Sequence, residues 1–315
     1  MIDLSEQFIG KAAALLPLYF DDATTDILIN GTGSLFTETE GALIRVPNPF
    51  EKPSDLADFI ERLLVPIGKR IDASQPYLDG RLVDGSRFHI VLPPIGVGGP
   101  YISIRKQRRS LSITLGDFAA PDTISHLERA IETRRNILVC GSTGSGKTTI
   151  LGRLVDKVNP DERVTVIEET LELQSSHHHL VRLESRPPTP DGVGQVTQRT
   201  LLKNALRMRP DRLVLGECRG EESFDLLQAL NTGHSGSMGT IHANSSLDAL
   251  RRLESLVLLT GFDVNPRVIR SWIASAIHTV IHLEKRRDRR QIREILDVSG
   301  LEGDAYRVNP IYKSG

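Results

Sequence analysis

The chain has 315 residues, 39% of them hydrophobic and 25% charged, the proportions of an ordinary globular protein of about two domains. Its 39 basic and 40 acidic residues leave a formal charge of -1, so no overall basic field directs it to nucleic acid or to an anionic membrane. Cys140 and Cys218 both sit in apolar runs, which argues against a disulfide framework and fits a reducing cytoplasm.

The acidic opening MIDLSEQFIG lacks the apolar core of a secretory signal. No stretch approaches the roughly 18 apolar residues of a spanning helix, so any membrane contact is expected to be peripheral.

The first hundred residues read as a small mixed α and β domain. Ile27-Leu28-Ile29 before Asn30-Gly31 is a strand entering a turn. Ser54 is the predicted N-cap of a helix, with Leu56, Phe59, Ile60, Leu63 and Leu64 on its buried face. Short strands are predicted around 80–83, 87–92 and 101–104, separated by Asp84-Gly85 and Pro93-Pro94. Residues 106–121 read as a linker, and the run Arg105-Lys106-Gln107-Arg108-Arg109 as a solvated hinge.

From Asp122 the rhythm changes. Ile124, Leu127 and Ile131 mark an amphipathic helix. Apolar strands are predicted at 136–140, 164–167, 213–215 and 238–241, each separated from the next by helical sequence. Strand alternating with helix predicts a mainly parallel sheet covered on both faces. Further strands are expected at 279–283 and 292–298, around a basic turn at 285–290 that reads as a solvated hairpin tip. The Pro- and Gly-bearing stretch 185–196 reads as a loop.

The sharpest motif is Gly141-Ser142-Thr143-Gly144-Ser145-Gly146-Lys147-Thr148, followed by Thr149. It fits GxxxxGK[ST] and lies between an apolar strand and a helix, the context a phosphate-binding loop needs. Its glycines let successive N–H groups turn toward phosphate, and the helix N-terminus adds positive potential. Lys147 is expected to reach the β- and γ-phosphates of ATP, and the Thr148 hydroxyl to ligate Mg²⁺.

Three further motifs follow. Val166-Ile167-Glu168-Glu169 is a strand ending in carboxylates, one of which could orient or deprotonate a water. Arg212-Leu213-Val214-Leu215-Gly216-Glu217 is a second acidic strand, with Gly216 where such strands usually carry Asp. A water-mediated hold of Glu217 on Mg²⁺ is the natural reading. His234 and His242 bracket a glycine-rich strand entry, a placement suited to sensing a γ-phosphate. The run His177-His178-His179 invites a metal reading, but neighbours on a strand alternate faces and cannot all reach one ion.

On these residues the chain resembles the secretion ATPases that drive type II and type IV secretion and pilus assembly. It is most similar to the CpaF-type (TadA) ATPases of Flp/Tad pili. The likeness runs from about Asp26 through nearly all of the chain. It includes Ile71-Asp72-Ala73-Ser74-Gln75-Pro76, the segments 79–87, 103–106 and 186–188, and 202–212. It implies a PAS-like α+β domain (1–105), a linker (106–121) and a RecA-like α/β ATPase domain (122–315), six copies forming a ring. It also implies that Glu168 is the catalytic glutamate, although Glu169 stands where the family usually has Asp. Glu217 is then the atypical Walker B glutamate, His242 and His234 the His-box residues, and Arg87 and Arg105 the N-domain arginines that reach nucleotide phosphates.

CpaF-type proteins usually carry a long N-terminal extension that this sequence does not show. The expectation is therefore a CpaF-type protein without it, or a shorter relative such as a conjugation-type ATPase.

The expected mechanism places ATP between the two domains, with Glu168 activating water and the arginines neutralising charge. Hydrolysis would change the interdomain angle, and the ring would do work on an inner-membrane platform protein from the cytoplasmic side. Two rivals are a nucleic-acid translocase on the same core and a non-catalytic, nucleotide-regulated scaffold. With 5% aromatics and no net positive charge, no nucleic-acid partner is expected. The intact Lys147, Thr148 and Glu168 oppose the scaffold.

Overall fold

The structure, a computed structural model, describes residues 4–107, 113–188, 192–261, 264–286 and 289–314. Arg108 and Arg109 of the expected hinge lie outside them, as do 189–191 of the expected loop and 287–288 of the basic turn. The chain divides into two compact units, Met1–Arg109 and Ser110–Gly315.

The first unit opens with two short helices, α1 (Leu4–Gln7) and α2 (Leu16–Phe20). Strands β1 (Thr24–Asn30), β2 (Ser34–Thr39) and β3 (Ala42–Val46) follow, then helix α3 (Pro53–Leu64), then β4 (Tyr77–Arg81), β5 (Arg87–Val91) and β6 (Tyr101–Arg105). The strands form one antiparallel sheet in the order β3-β2-β1-β6-β5-β4, the α+β layout expected of a PAS-like domain. Alternate residues such as Ile27, Ile29, Phe88, Ile90, Ile102 and Ile104 point into one core, where Leu56, Phe59 and Leu63 of α3 meet them. Helix α3 begins earlier than Ser54. Pro53, pre-set for a first helical position, starts it, and the Asp55 carboxylate accepts the N–H groups of Lys52 and Glu51 at 2.9 and 3.1 Å. Ser54 therefore sits inside the first turn and is not the cap.

The second unit begins with helix α4 (Pro121–Glu132), strand β7 (Ile137–Gly141), helix α5 (Lys147–Val155), and strands β8 (Val164–Glu168) and β9 (Leu180–Glu184). Helix α6 (Gln198–Ala205), strand β10 (Arg212–Cys218), helix α7 (Glu222–Asn231), strand β11 (Met238–Ile241) and helices α8 (Ser246–Leu258) and α9 (Pro266–Ala276) follow. Strands β12 (Thr279–Arg286), β13 (Arg289–Glu302) and β14 (Ala305–Lys313) complete it. The sheet order is β14-β13-β12-β7-β11-β10-β8-β9. From β12 to β9 every neighbouring pair is parallel, and β13 and β14 add on antiparallel.

Strands β7 and β8 are buried along their whole length, as a sheet covered on both faces requires. One core lies on each face, one built around α6 to α9 and the other around α4 and α5. Leu115 and Phe118, read from composition as linker, are buried in the second of these. No helix among the described residues is long and apolar enough to cross a membrane.

Candidate nucleotide site

Because β7, β8, β10 and β11 run parallel, their carboxyl ends share one edge, where an α/β sheet binds its ligands. The glycine-rich loop, Glu168, Glu217 and His242 arrive there. β7 delivers the glycine-rich loop. Gly141, Gly144 and Gly146 take φ of 153°, 73° and 96°, and a Cβ on Gly141 would stand 2.5 Å from the Leu283 carbonyl oxygen. Only glycine combines the last two of these angles with so tight a turn. Ser142, Thr143 and Gly144 are exposed, Ser145 is buried, and Gly146, Thr148 and Thr149 are half-buried.

Lys147, 8% exposed, seats its ammonium on the loop itself. Nζ donates to the carbonyls of Gly141 and Ser142, both at 3.0 Å, and lies 3.5 Å from Nδ1 of His242. Burial pulls the Lys147 pKa down, and the Glu217 carboxylate opposes that. His242, just past β11, sets its Nε2 2.8 Å from Oε1 of Glu217. Its pKa is lowered by burial first and by Lys147 second, so the ring is neutral near pH 7. With Nδ1 bare, the ring accepts from Lys147; Glu217 Oε1 is close to Nε2 but makes no hydrogen bond.

Glu217 reaches His242 through an irregularity in β10. Leu215 pairs with Gly239 and Cys218 with Ile241, so β10 spends three steps where β11 spends two. This bulge re-aims the carboxylate and accounts for the Gly216-Glu217 pair. A Cβ on Gly216 would come within 2.8 Å of Glu168 Cγ, and the Gly216 carbonyl accepts the Thr240 hydroxyl.

Glu168, 2% exposed, ends β8. Its Oε1 accepts the N–H groups of Glu172 and Leu173 at 2.9 and 2.8 Å. Its Oε2 makes no hydrogen bond and faces Arg182 of β9 at 3.7 Å. Burial raises its pKa above the ordinary carboxylate value, against those two amides and Arg182.

Sequence reasoning missed two residues here. Arg219 places its guanidinium 2.8 Å from Glu217 Oε2 and also binds the Glu169 carboxylate, which gives Glu169 a partner distinct from that of Glu168. Arg219 lies just past the end of β10, where no sequence motif marked it. Arg182 lies on an edge strand that composition did not mark.

One sequence expectation moves elsewhere. His234 precedes the four-residue strand β11 that His242 follows, so it sits at the opposite edge of the sheet, with Nδ1 3.2 Å from the Ala229 carbonyl at the end of α7. His177 turns Nε2 to the Glu162 carbonyl at 2.8 Å, while Nε2 of His179 is 3.4 Å from Arg163. His177 and His179 therefore take different partners just before β9, and the His178 ring lies 5.8 and 6.4 Å from theirs.

In the first unit, Arg87 and Arg105 are direct cross-strand partners, with Arg81 beyond Arg87 and Asp26 beyond Arg105. All four therefore share one face, and Arg105 Nε donates to Asp26 Oδ1 at 2.9 Å. Arginines in opposed register repel, and the Asp26 carboxylate offsets that repulsion at Arg105.

A profile of type II/IV secretion system proteins matches residues 11–304. The chain belongs to this family. A Mycobacterium tuberculosis protein whose name assigns it, provisionally, to conjugal transfer is 38% identical over 304 residues, covering 93% of this chain and 86% of that one. The VirB11 protein of Agrobacterium fabrum is 31% identical over 308 residues, covering 87% and 89%. Among solved structures, the Brucella suis VirB11 ATPase of a type IV secretion system, bound to sulphate, matches at 28% identity and TM-score 0.50 over 93% of this chain and 96% of that one. The pilus retraction motor PilT with bound ADP matches at 19% identity and TM-score 0.65, over 94% and 80%. That likeness speaks to the fold alone, and with it the second unit of this family member is a RecA-like domain.

Proposed function

We propose that the chain hydrolyses ATP as one subunit of a cytoplasmic homo-hexameric motor, peripheral to the inner membrane, that powers type II/IV secretion or assembly of a type IV-like pilus through a membrane platform protein. The observation that carries the ATPase reading is the convergence at one sheet edge of Lys147, His242, Glu217 and Glu168, beside a glycine-rich loop in which a Cβ at Gly141 would collide with the Leu283 carbonyl. The secretion reading rests on membership of the family and on relatives named for conjugal transfer and for a type IV secretion system.

The residues divide the chemistry. The N–H groups of 142–148 and the α5 N-terminus suit the phosphates. Lys147 is held by two carbonyls and one imidazole, neutral partners that phosphate oxygens outcompete. Glu168 is fixed through one oxygen and has a second that makes no hydrogen bond, the arrangement that orients a water for in-line attack. Its raised pKa makes it the better base.

The donor set also fits a hard divalent cation, because the Thr148 hydroxyl and Glu217 carboxylate are oxygen ligands. Glu217 is engaged by His242 and Arg219, so it would hold Mg²⁺ through water. When bound, the cation would neutralise phosphate charge. Arg87 and Arg105 are assigned to charge neutralisation from the first unit, a role worth roughly 10³–10⁵ in rate for arginine fingers elsewhere.

Phosphate release by the purified chain tests this reading. Lys147→Ala should lose nucleotide binding and turnover together while its melting temperature without nucleotide stays near wild type. Glu168→Gln should keep binding and lose turnover by about a hundredfold or more. Turnover by Lys147→Ala at the wild-type rate would sink the reading.

A further inference from the structure

The basic turn between β12 and β13 reads in the sequence as a solvated hairpin tip. In the structure it touches the phosphate loop. β12 pairs with β7 as far as Leu283 opposite Gly141. It then continues to Arg286, paired with β13 through Lys285 opposite Arg290 and Arg286 opposite Arg289. The hairpin thus overshoots the sheet and runs alongside the loop. Arg290 Nε donates to the Gly144 carbonyl at 3.0 Å. Its Cδ lies 3.0 Å, and Phe118 Cε1 3.1 Å, from where a Cβ on Gly146 would stand. Phe118 is itself tied to the hairpin, because its carbonyl accepts the Ile292 N–H at 3.0 Å.

We infer that Arg290 is a positioning residue of the nucleotide site: from outside the loop it fixes the Gly144–Ser145 peptide in the orientation that phosphate binding needs. This rests on the nucleotide reading above. Gly144 has φ of 73°, no atom within 4 Å of a would-be Cβ, and an exposed surface. The long 3.3 Å bond from the Ser145 N–H to the Ser142 carbonyl is the loop's own restraint on this peptide, and glycine takes either hand of the map at similar energy. A flipped peptide would turn a carbonyl oxygen toward the phosphates, where like partial charges repel. A guanidinium holding that carbonyl outward makes the flip cost a charge-assisted hydrogen bond. The hairpin is anchored by β12 and by Phe118, so the restraint comes from the rigid sheet and not from the loop.

The role predicts a split between binding and chemistry, because Arg290 acts on the cradle that holds ground and transition states alike. In the full-length protein, Arg290→Ala should weaken the affinity for fluorescent ADP about tenfold and raise the KM for ATP similarly, with kcat within about threefold of wild type. Arg290→Lys, which keeps a cationic donor, should recover most of the affinity. Arg289→Ala, the exposed neighbour, should leave it unchanged. Melting without nucleotide checks the fold of each variant, and Arg290→Gln replaces the alanine if that variant does not fold.

Unchanged ADP affinity in Arg290→Ala would overturn the inference, and so would a fall in kcat with KM unmoved. If wild type itself does not bind ADP, the nucleotide reading fails instead, so the two failures are distinguishable.

Discussion

At the scale of single residues, the site is defined by protonation as much as by position. Glu168 is a buried carboxylate whose pKa is raised by desolvation. Its charged form therefore costs the fold stability at neutral pH, and that cost disappears as pH falls and the group takes up its proton. Glu168→Gln should then be more stable than wild type at pH 7.5, by about 1 kcal/mol or 2–4 °C in Tm, and the gain should shrink as pH approaches 4.5, the ordinary value. A calorimetric pH series checks this, and equal Tm values at pH 7.5 would mean that the two amides at Oε1 fully offset burial. His242 has the opposite sign. Its depressed pKa means that its contribution is complete above 6.5 and lost as pH falls through the folded value, when Nδ1 gains a proton and confronts Lys147 as a second cation. The rate of phosphate release should therefore carry an acid limb below pH 6.5, and His242→Gln should lose that limb. An acid limb unchanged in the variant would assign it to another group.

At the scale of elements, the central strands were legible because burial on both faces writes itself as continuous apolar runs, as in Leu138-Val139-Cys140 or Val164-Thr165-Val166-Ile167. The phosphate loop was legible because only glycine suits its dihedrals. The strands without a marker were those at or near edges. All of β3 except Val46 is exposed, and β9 and β14 are only partly covered, so neither apolar runs nor clean alternation marked them. Contacts between distant segments left no trace in the sequence either, and Arg182 and Arg290 owe their places to such contacts.

Gly152 belongs with these. It lies inside α5, where glycine is the poorest ordinary helix former and alanine would gain about 1 kcal/mol. A Cβ there would stand 2.2 Å from the Gln174 carbonyl oxygen, backbone that cannot swing aside as a side chain can. Overpacking of this kind costs about 1–3 kcal/mol or more and outweighs the propensity gain. Gly152→Ala should thus lower the urea midpoint by an amount equivalent to about 1–2 kcal/mol, and a raised midpoint would mean that the 171–177 segment yields freely.

At the scale of the whole molecule, the chain holds separate hydrophobic cores. One is built from residues 4–104, and two line the faces of the second sheet with residues from 113 onward. Each unit therefore has an apolar interior of its own, as independent folding needs. The loop, Lys147, Glu168, Glu217 and His242 all belong to the second unit, whereas Arg87 and Arg105 belong to the first. Binding and catalysis should separate along that division. A fragment spanning Ser110–Gly315 should unfold cooperatively and bind ADP. Its turnover should fall by about 10³ or more, because the guanidinium groups assigned to transition-state charge are gone. The fragment also loses whatever ring contacts the first unit makes, so Arg105→Ala in the full chain is the companion measurement. It should lower kcat steeply while ADP affinity moves little, as expected of a group whose interaction strengthens in the transition state. If the fragment hydrolyses ATP at the full-length rate, or if Arg105→Ala leaves kcat intact, the first unit supplies no catalytic charge, and the arginine row across β4, β5, β6 and the Asp26 end of β1 serves another anion.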